Sequence, residues 1–199
     1  MKRLQKGLIL LIAMILVLGM AASAMADTHG KKAIMIVAKS DFEQTEYKKT
    51  RSALDDAGII CAIASTKVGT LKGNKGKRIE SSMLLKDVNV ADYDAVVFIG
   101  GNGIKKVWKN KNAHNIAQEA VKQDKILAAI CAAPGILGYA GVLDGKQATA
   151  HPKSGARKIM KKNGCDFQNQ KVVVDGKIIT ANGPKAAGKF GETIVEAMN

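Results

Sequence analysis

Ile126 to Gly141 reads ILAAICAAPGILGYAG, and this stretch decides the fold. The apolar run Ile126 to Ile130 reads as a buried strand. It ends abruptly at Cys131, and Ala132, Ala133 and Pro134 open a helix-forming segment of small residues. A strand that turns straight into a helix makes an elbow, with the cysteine at its tip. So sharp a turn needs small side chains two positions before and two after the tip, and Ala129 and Ala133 provide them as glycines do in the G-x-S-x-G elbow of hydrolases. A thiol there faces the amide groups of the first helical turn, whose partial positive charge favours the thiolate, so its pKa is expected below that of a free cysteine. The competing reading is a small buried hydrophobe, the usual fate of a free cysteine.

Outward from the elbow, short apolar strands alternate with helices. Lys31 to Lys39 reads as a buried strand. A helix is expected from Ser40, with Glu43 at capping-box spacing, to Gly58. Ile59 to Ala64 and Asp94 to Ile99 are further buried strands, the second ending at Gly100-Gly101-Asn102-Gly103. Gly69 to Lys77 is a Gly/Lys-rich hairpin or loop, with short strands in Ile79 to Val88. Asn112 to Gln123 is an amphipathic helix leading into the elbow strand.

After the elbow, a brief strand Gln147 to Ala150 precedes His151-Pro152 and a Lys-rich helix to Lys162. A hairpin turns at Asp175-Gly176, and a closing helix runs from Pro184 to Met198. This alternation implies an α/β fold: a mostly parallel sheet with helices on both faces. Sites in such sheets lie beyond the carboxyl ends of the strands. Three loops there carry chemistry-bearing residues: Ser40 to Glu46, Gly100 to Gly103, and Cys131.

The first 26 residues have the pattern of a secretory signal peptide. Lys2, Arg3 and Lys6 precede the apolar run Leu8 to Leu18, and Ala24-Met25-Ala26 has the A-x-A form of a cleavage site. The run is short of the roughly 20 residues of a spanning helix, and no later segment is long enough. Residues 27–199 then form one domain in an exported protein, periplasmic or extracellular, with no membrane span after cleavage. Net charge is +14. The lysines are dispersed and Trp108 is the only tryptophan, which argues against a nucleic-acid partner and for solvated basic faces. Cys61, Cys131 and Cys165 are an odd number in a compartment that permits disulfides. A Cys61–Cys165 bridge would leave the elbow cysteine available, but the sequence does not establish one. No ligand spacing for a metal is present.

AAICAAPGIL (Ala128 to Leu137), GGNG (Gly100 to Gly103), TAHP (Thr149 to Pro152), DFEQTE (Asp41 to Glu46) and ITANGPKAAGKFGETIVEAM (Ile179 to Met198) together resemble the DJ-1/PfpI (ThiJ/PfpI) family, within the class I glutamine amidotransferase-like superfamily. The resemblance covers essentially all of residues 27–199. It implies a three-layer, flavodoxin-like sandwich with Cys131 as the elbow nucleophile. Glu46 corresponds to the glutamate that hydrogen-bonds that cysteine and must be protonated to donate to a thiolate. Glu43 is a secondary candidate, explained equally well as a helix cap. The N–H groups of Gly101 and Ala132 would form an oxyanion hole. The dinucleotide alternative for Gly101-Asn102-Gly103 fails because no third glycine follows at the G-x-G-x-x-G spacing. His151 matches a histidine near the nucleophile. Ala132 stands where the peptidase branch has a histidine, which weakens a peptidase reading.

By resemblance, the expected function is a cofactor-free cysteine enzyme acting on a small reactive aldehyde or a glycated protein, as a glyoxalase or deglycase. The alternatives are a redox-responsive chaperone or stress protein whose Cys131 oxidises to a sulfinate, and a cysteine peptidase. A homo-oligomer, commonly a dimer, is also implied.

Overall fold

The computed structural model describes residues 30–199. The expected signal segment, residues 1–26, lies outside them. In chain order the elements are β1 (Lys32–Ile36), β2 (Ser40–Phe42), α1 (Gln44–Asp56), β3 (Ile60–Ser65), β4 (Gly69–Gly73), β5 (Arg78–Ser81), β6 (Met83–Leu84), β7 (Ala95–Phe98), α2 (Lys111–Lys122) and β8 (Ile126–Ile130). There follow α3 (Pro134–Tyr139), β9 (Gln147–Ala148), α4 (Ala156–Lys162), β10 (Asp166–Phe167), β11 (Val172–Asp175), β12 (Ile178–Ala181) and α5 (Ala187–Met198).

The main sheet has the order β11-β12-β8-β7-β1-β3-β6. It is parallel except for the β11–β12 hairpin. Strands covered on both faces carry no alternation of polar residues, and β7, β8 and β12 are buried at every position. The crossover from β1 to β3 runs one way along the sheet and that from β7 to β8 the other. Right-handed connections therefore place α1 and α2 on opposite faces. α1 packs against α5, and α3 against α2 and α4. At the first contact Gly191 has no room for a side chain, since a β-carbon there would lie 2.7 Å from Ala53 Cβ. The layers and the sheet are those expected.

Three local expectations need correction. Ser40 does not cap the first helix. It lies in β2, which pairs with β4 of the Gly/Lys hairpin in a separate three-stranded sheet, and the helix begins only at Gln44 with Glu43 as its N-cap. The Lys-rich helix starts at Ala156 rather than Pro152, after Gly155 in a left-handed conformation. β10, unforeseen, pairs two residues with β9. All three cysteines are free thiols.

Candidate active site

The direction reversal in strand order falls at β1, which has β3 on one side and β7 on the other. Beyond the carboxyl ends of β1, β7 and β8 three loops converge. The backbone bonds show how. Phe42 bridges to Gly101, and the Glu43 N–H donates to Gly100 O at 3.0 Å. This approach requires glycine at both positions. A β-carbon on Gly100 would lie 2.5 Å from Glu46 Oε2 and 2.6 Å from Cys131 Cβ; one on Gly101, whose φ is +109°, would overlap the backbone of Asp41 and Glu43.

Glu43 and Glu46 stand one helical turn apart and have different surroundings. Glu43 Oε2 accepts the Glu46 N–H at 2.7 Å, closing the first turn of α1. Glu46 is fully buried. Its Oε2 accepts the Gly100 N–H at 3.1 Å, and its Oε1 has no hydrogen-bond partner of good geometry. The Cys131 thiol is close enough for the two groups to influence each other's ionisation. Burial pushes the Glu46 carboxyl up to about 8; Glu43's charge adds to this, and bonding to Cys131 and Gly100 opposes it. At neutral pH Glu46 therefore holds its proton.

Cys131 sits at the elbow with φ +65°, a conformation that costs a non-glycine residue about 1–2 kcal/mol. The strain is held by bonds on both sides: Cys131 N–H donates to Ala181 O at 2.8 Å, and His151 N–H donates to Cys131 O at 2.9 Å. The expected fall in the thiol's pKa is corrected. Burial pushes it up, followed by the Glu46 charge and bond, while the N–H groups of Gly101 and Ala132 pull it down. The helix that follows is only six residues long, too short for its dipole to outweigh loss of water.

His151 is partly exposed. Its Nδ1 accepts the Lys153 N–H at 3.2 Å, which leaves the proton of the neutral ring on Nε2. Its carbonyl accepts from Ser154 N–H at 3.0 Å and Ser154 Oγ at 2.8 Å. Gly183, with φ +135°, lies beside both groups. A β-carbon there would stand 3.0 Å from His151 Cδ2 and 4.0 Å from Cys131 Sγ.

A cavity of about 260 Å³ opens over this arrangement, lined by Cys131, Gly101, Ala132, His151, Glu43 and Lys105 among others. Glu46 lies behind the thiol rather than in the wall. A larger groove of about 640 Å³ runs between α1 and α5, but it holds no cysteine and its carboxylates are exposed, so the smaller cavity is the candidate site. Among the described residues no three His, Cys, Asp or Glu side chains converge on a point that could hold a metal ion.

The structure thus brings together Cys131, Glu46, His151, Gly101 and Ala132, with Glu43 at the rim. Sequence reasoning missed Gly183, although it lay inside the quoted segment Ile179 to Met198, and missed Trp108, noted only as the single tryptophan. Asn74, from the hairpin, also lines the cavity; no spacing pattern marks it.

The family model described as the DJ-1/PfpI family matches residues 31–197. A deglycase of Pyrococcus abyssi is 32% identical over 151 residues, covering 76% of this chain and 90% of its own. A glutathione-independent glyoxalase of Caenorhabditis elegans is 28% identical over 168 residues, 84% of this chain and 89% of its own. The crystal structure of a ThiJ/PfpI domain protein from Brachyspira murdochii superposes with a TM-score of 0.82 at 27% identity, covering 85% of this chain and 98% of that one.

Proposed function

The chain belongs to the DJ-1/PfpI family, and from that premise we propose that it is an exported, cofactor-free enzyme in which Cys131 attacks small reactive aldehydes of the 2-oxoaldehyde type. The observation that carries this reading is the pairing of the Cys131 thiol, open to the cavity, with a buried Glu46 that holds its proton at neutral pH. Once the pair has lost one of its two protons, the sulfur can carry the charge while the carboxyl keeps the remaining proton.

Attack forms a C–S bond at the aldehyde carbon and moves the carbonyl electron pair onto oxygen. The N–H groups of Gly101 and Ala132, both directed at the sulfur's surroundings, are placed to stabilise that oxyanion. The Nε2–H of His151 donates a hydrogen bond to it, and the proton that neutralises it is the one remaining on the Cys131–Glu46 pair. Transfer of the former aldehyde hydrogen, as a proton, to the adjacent carbon gives a thioester without net oxidation. Water then releases a 2-hydroxy acid and the thiol. Glu46 and His151 are the groups that move these protons.

The test is turnover of methylglyoxal without added glutathione by residues 27–199, wild type against Cys131→Ser. The reading requires turnover by the wild type and its loss in the variant. A wild type without turnover overturns it.

A second reading is supported by the same two amides and by Glu46 Oε1, which lacks a well-formed partner. An oxidised Cys131 could receive hydrogen bonds from all three groups, as a redox-responsive chaperone or stress protein would need. Treatment with a few equivalents of peroxide, at least two per thiol, followed by peptide mass analysis separates the readings: this one requires Cys131 to stop at the sulfinate and chaperone activity to change with it.

A further inference from the structure

Trp108 is tied to the elbow by its indole. Its Nε1–H donates to Ala132 O at 2.8 Å, and its ring fills the space above Gly135, where a β-carbon would lie 2.7 Å from Nε1 and Cε2. The residue's own backbone is fixed as well. Trp108 N–H donates to Lys105 O at 3.3 Å, and Trp108 O is bonded by His114 Nε2 at 2.7 Å. Trp108 ends the short 3-10 turn Gly103–Val107, which follows directly from Gly101.

In a helical turn N–H and C=O groups point in opposite directions along the axis. A donor fixed on the Ala132 carbonyl therefore holds the first turn so that the Ala132 N–H points back toward Cys131. Apart from Cys131's own thiol, Trp108 is the one side chain among the described residues hydrogen-bonded to the backbone of Cys131, Ala132 or Ala133. Those three residues include the strained tip, where departure from the observed backbone would relieve energy.

We propose that Trp108 is a positioning residue that sets the distance between the two oxyanion-directed donors, because it fastens the loop carrying Gly101 to the turn carrying Ala132. Trp108 lies seven positions after Gly101, so one short segment supplies one donor and braces the other. This inference rests on Cys131 being the reacting group. It does not depend on the identity of the substrate.

Since the chain has a single tryptophan, global replacement of tryptophan by β-(3-benzothienyl)alanine changes position 108 alone. It keeps the ring shape and removes the N–H. Trp108→Phe is the genetic counterpart. With an Ala132 N–H that no longer points steadily at the sulfur, the pH profile of Cys131 alkylation by iodoacetamide should move upward by about half a pH unit or more. Methylglyoxal kcat should fall ~10-fold with KM within about twofold, as misorientation predicts. Thermal midpoints should stay close to wild type in the benzothienyl protein. Alkylation needs only the thiol, so this arm still decides the inference if wild-type protein turns over no aldehyde. An alkylation profile that superposes on wild type in both proteins, whether or not stability falls, overturns the positioning role and leaves Trp108 as packing.

Discussion

The Cys131 thiol rests on the carboxyl of Glu46, which is fully buried and keeps its proton up to about pH 8. Two of the causes that push the thiol's pKa up are the Glu46 charge and the bond to it. Both vanish when Glu46 carries the proton, whereas the amides of Gly101 and Ala132 continue to favour the thiolate. The pair therefore behaves as a unit that releases one proton near pH 8 and retains the other far above it.

Cys131 should accordingly be alkylated faster than Cys61 and Cys165, whose thiols burial raises to about 11. Its rate should climb at lower pH than theirs, because the Glu46 proton and the two amides favour the thiolate there. Iodoacetamide labelling read by peptide mass measures all three thiols in one sample, and a Cys131 no faster than the other two would contradict the shared-proton account.

Stability should carry the signature of the same carboxyl. Unfolded, Glu46 loses its proton near 4.5; folded, near 8. Between those values the native state binds more protons than the unfolded one, so this residue's effect is to lower stability as pH rises. At about 1.4 kcal/mol per pH unit the loss is bounded at about 5 kcal/mol. Glu46→Gln removes it. Urea midpoints should therefore show the variant gaining on wild type between pH 4.5 and pH 8, and a constant difference would mean that the carboxyl ionises freely in the fold.

The two glutamates should separate in kinetics. Glu46→Gln keeps a hydrogen-bond donor but has no proton to transfer, so methylglyoxal turnover should drop by ~100-fold or more. Glu43→Gln keeps an oxygen able to accept the Glu46 N–H and should cost about 0.5–1 kcal/mol of stability, with turnover within a fewfold of wild type. Steady-state rates with circular dichroism as a folding control decide this; a larger loss at Glu43 would assign the chemistry to the wrong carboxyl.

Gly183→Ala tests the wall shared by thiol and imidazole. Its φ of +135° lies in a region that residues with a side chain occupy only at about 1–3 kcal/mol, and the new methyl group would press on the His151 ring. We expect a lower thermal midpoint and a fall in kcat/KM of about tenfold or more. Activity at the wild-type level would place His151 outside the reaction.

Peptide cleavage should be negligible. Ala132 leaves no base directly beside the nucleophile, and such a base is worth ~100-fold or more. Casein and fluorogenic peptides are the substrates to try; cleavage that vanishes in Cys131→Ala would restore the peptidase reading.

The parallel sheet was legible because buried strands write themselves as unbroken apolar runs: Ile126 to Ile130 and Ala95 to Phe98 have no polar residue to misplace. The elbow was legible because Ala129, Cys131 and Ala133 combine a geometric requirement with a reactive side chain. What failed were effects that depend on distant chain. Ser40 has the spacing of a cap, but its backbone is claimed by β4, more than 25 residues on, and Glu43 takes the capping role. The thiol's pKa was read from one helix terminus alone. Burial, and a carboxyl from 85 positions earlier, then reversed it. Gly183 and Trp108 escaped notice because each acts through what it touches, which no local pattern records.

The small sheet made by β2, β4 and β5 divides labour within the site. Phe42 and Gln44, which flank Glu43, are held by the hairpin: Asn74 N–H donates to Phe42 O at 2.9 Å, Gln44 N–H to Asn74 Oδ1 at 3.3 Å, and Lys77 N–H to Gln44 Oε1 at 3.2 Å. Cys131 stands at the end of the buried central strand β8 and Glu46 on α1 beside it, while this outboard hairpin furnishes the Asn74 side of the entrance. Turns of this kind accept changes in length and sequence that packed strands do not. Varying Lys75, next to Asn74, would thus reshape the mouth of the cavity while leaving the strands beneath it in place, which makes the hairpin an exchangeable rim on a fixed scaffold.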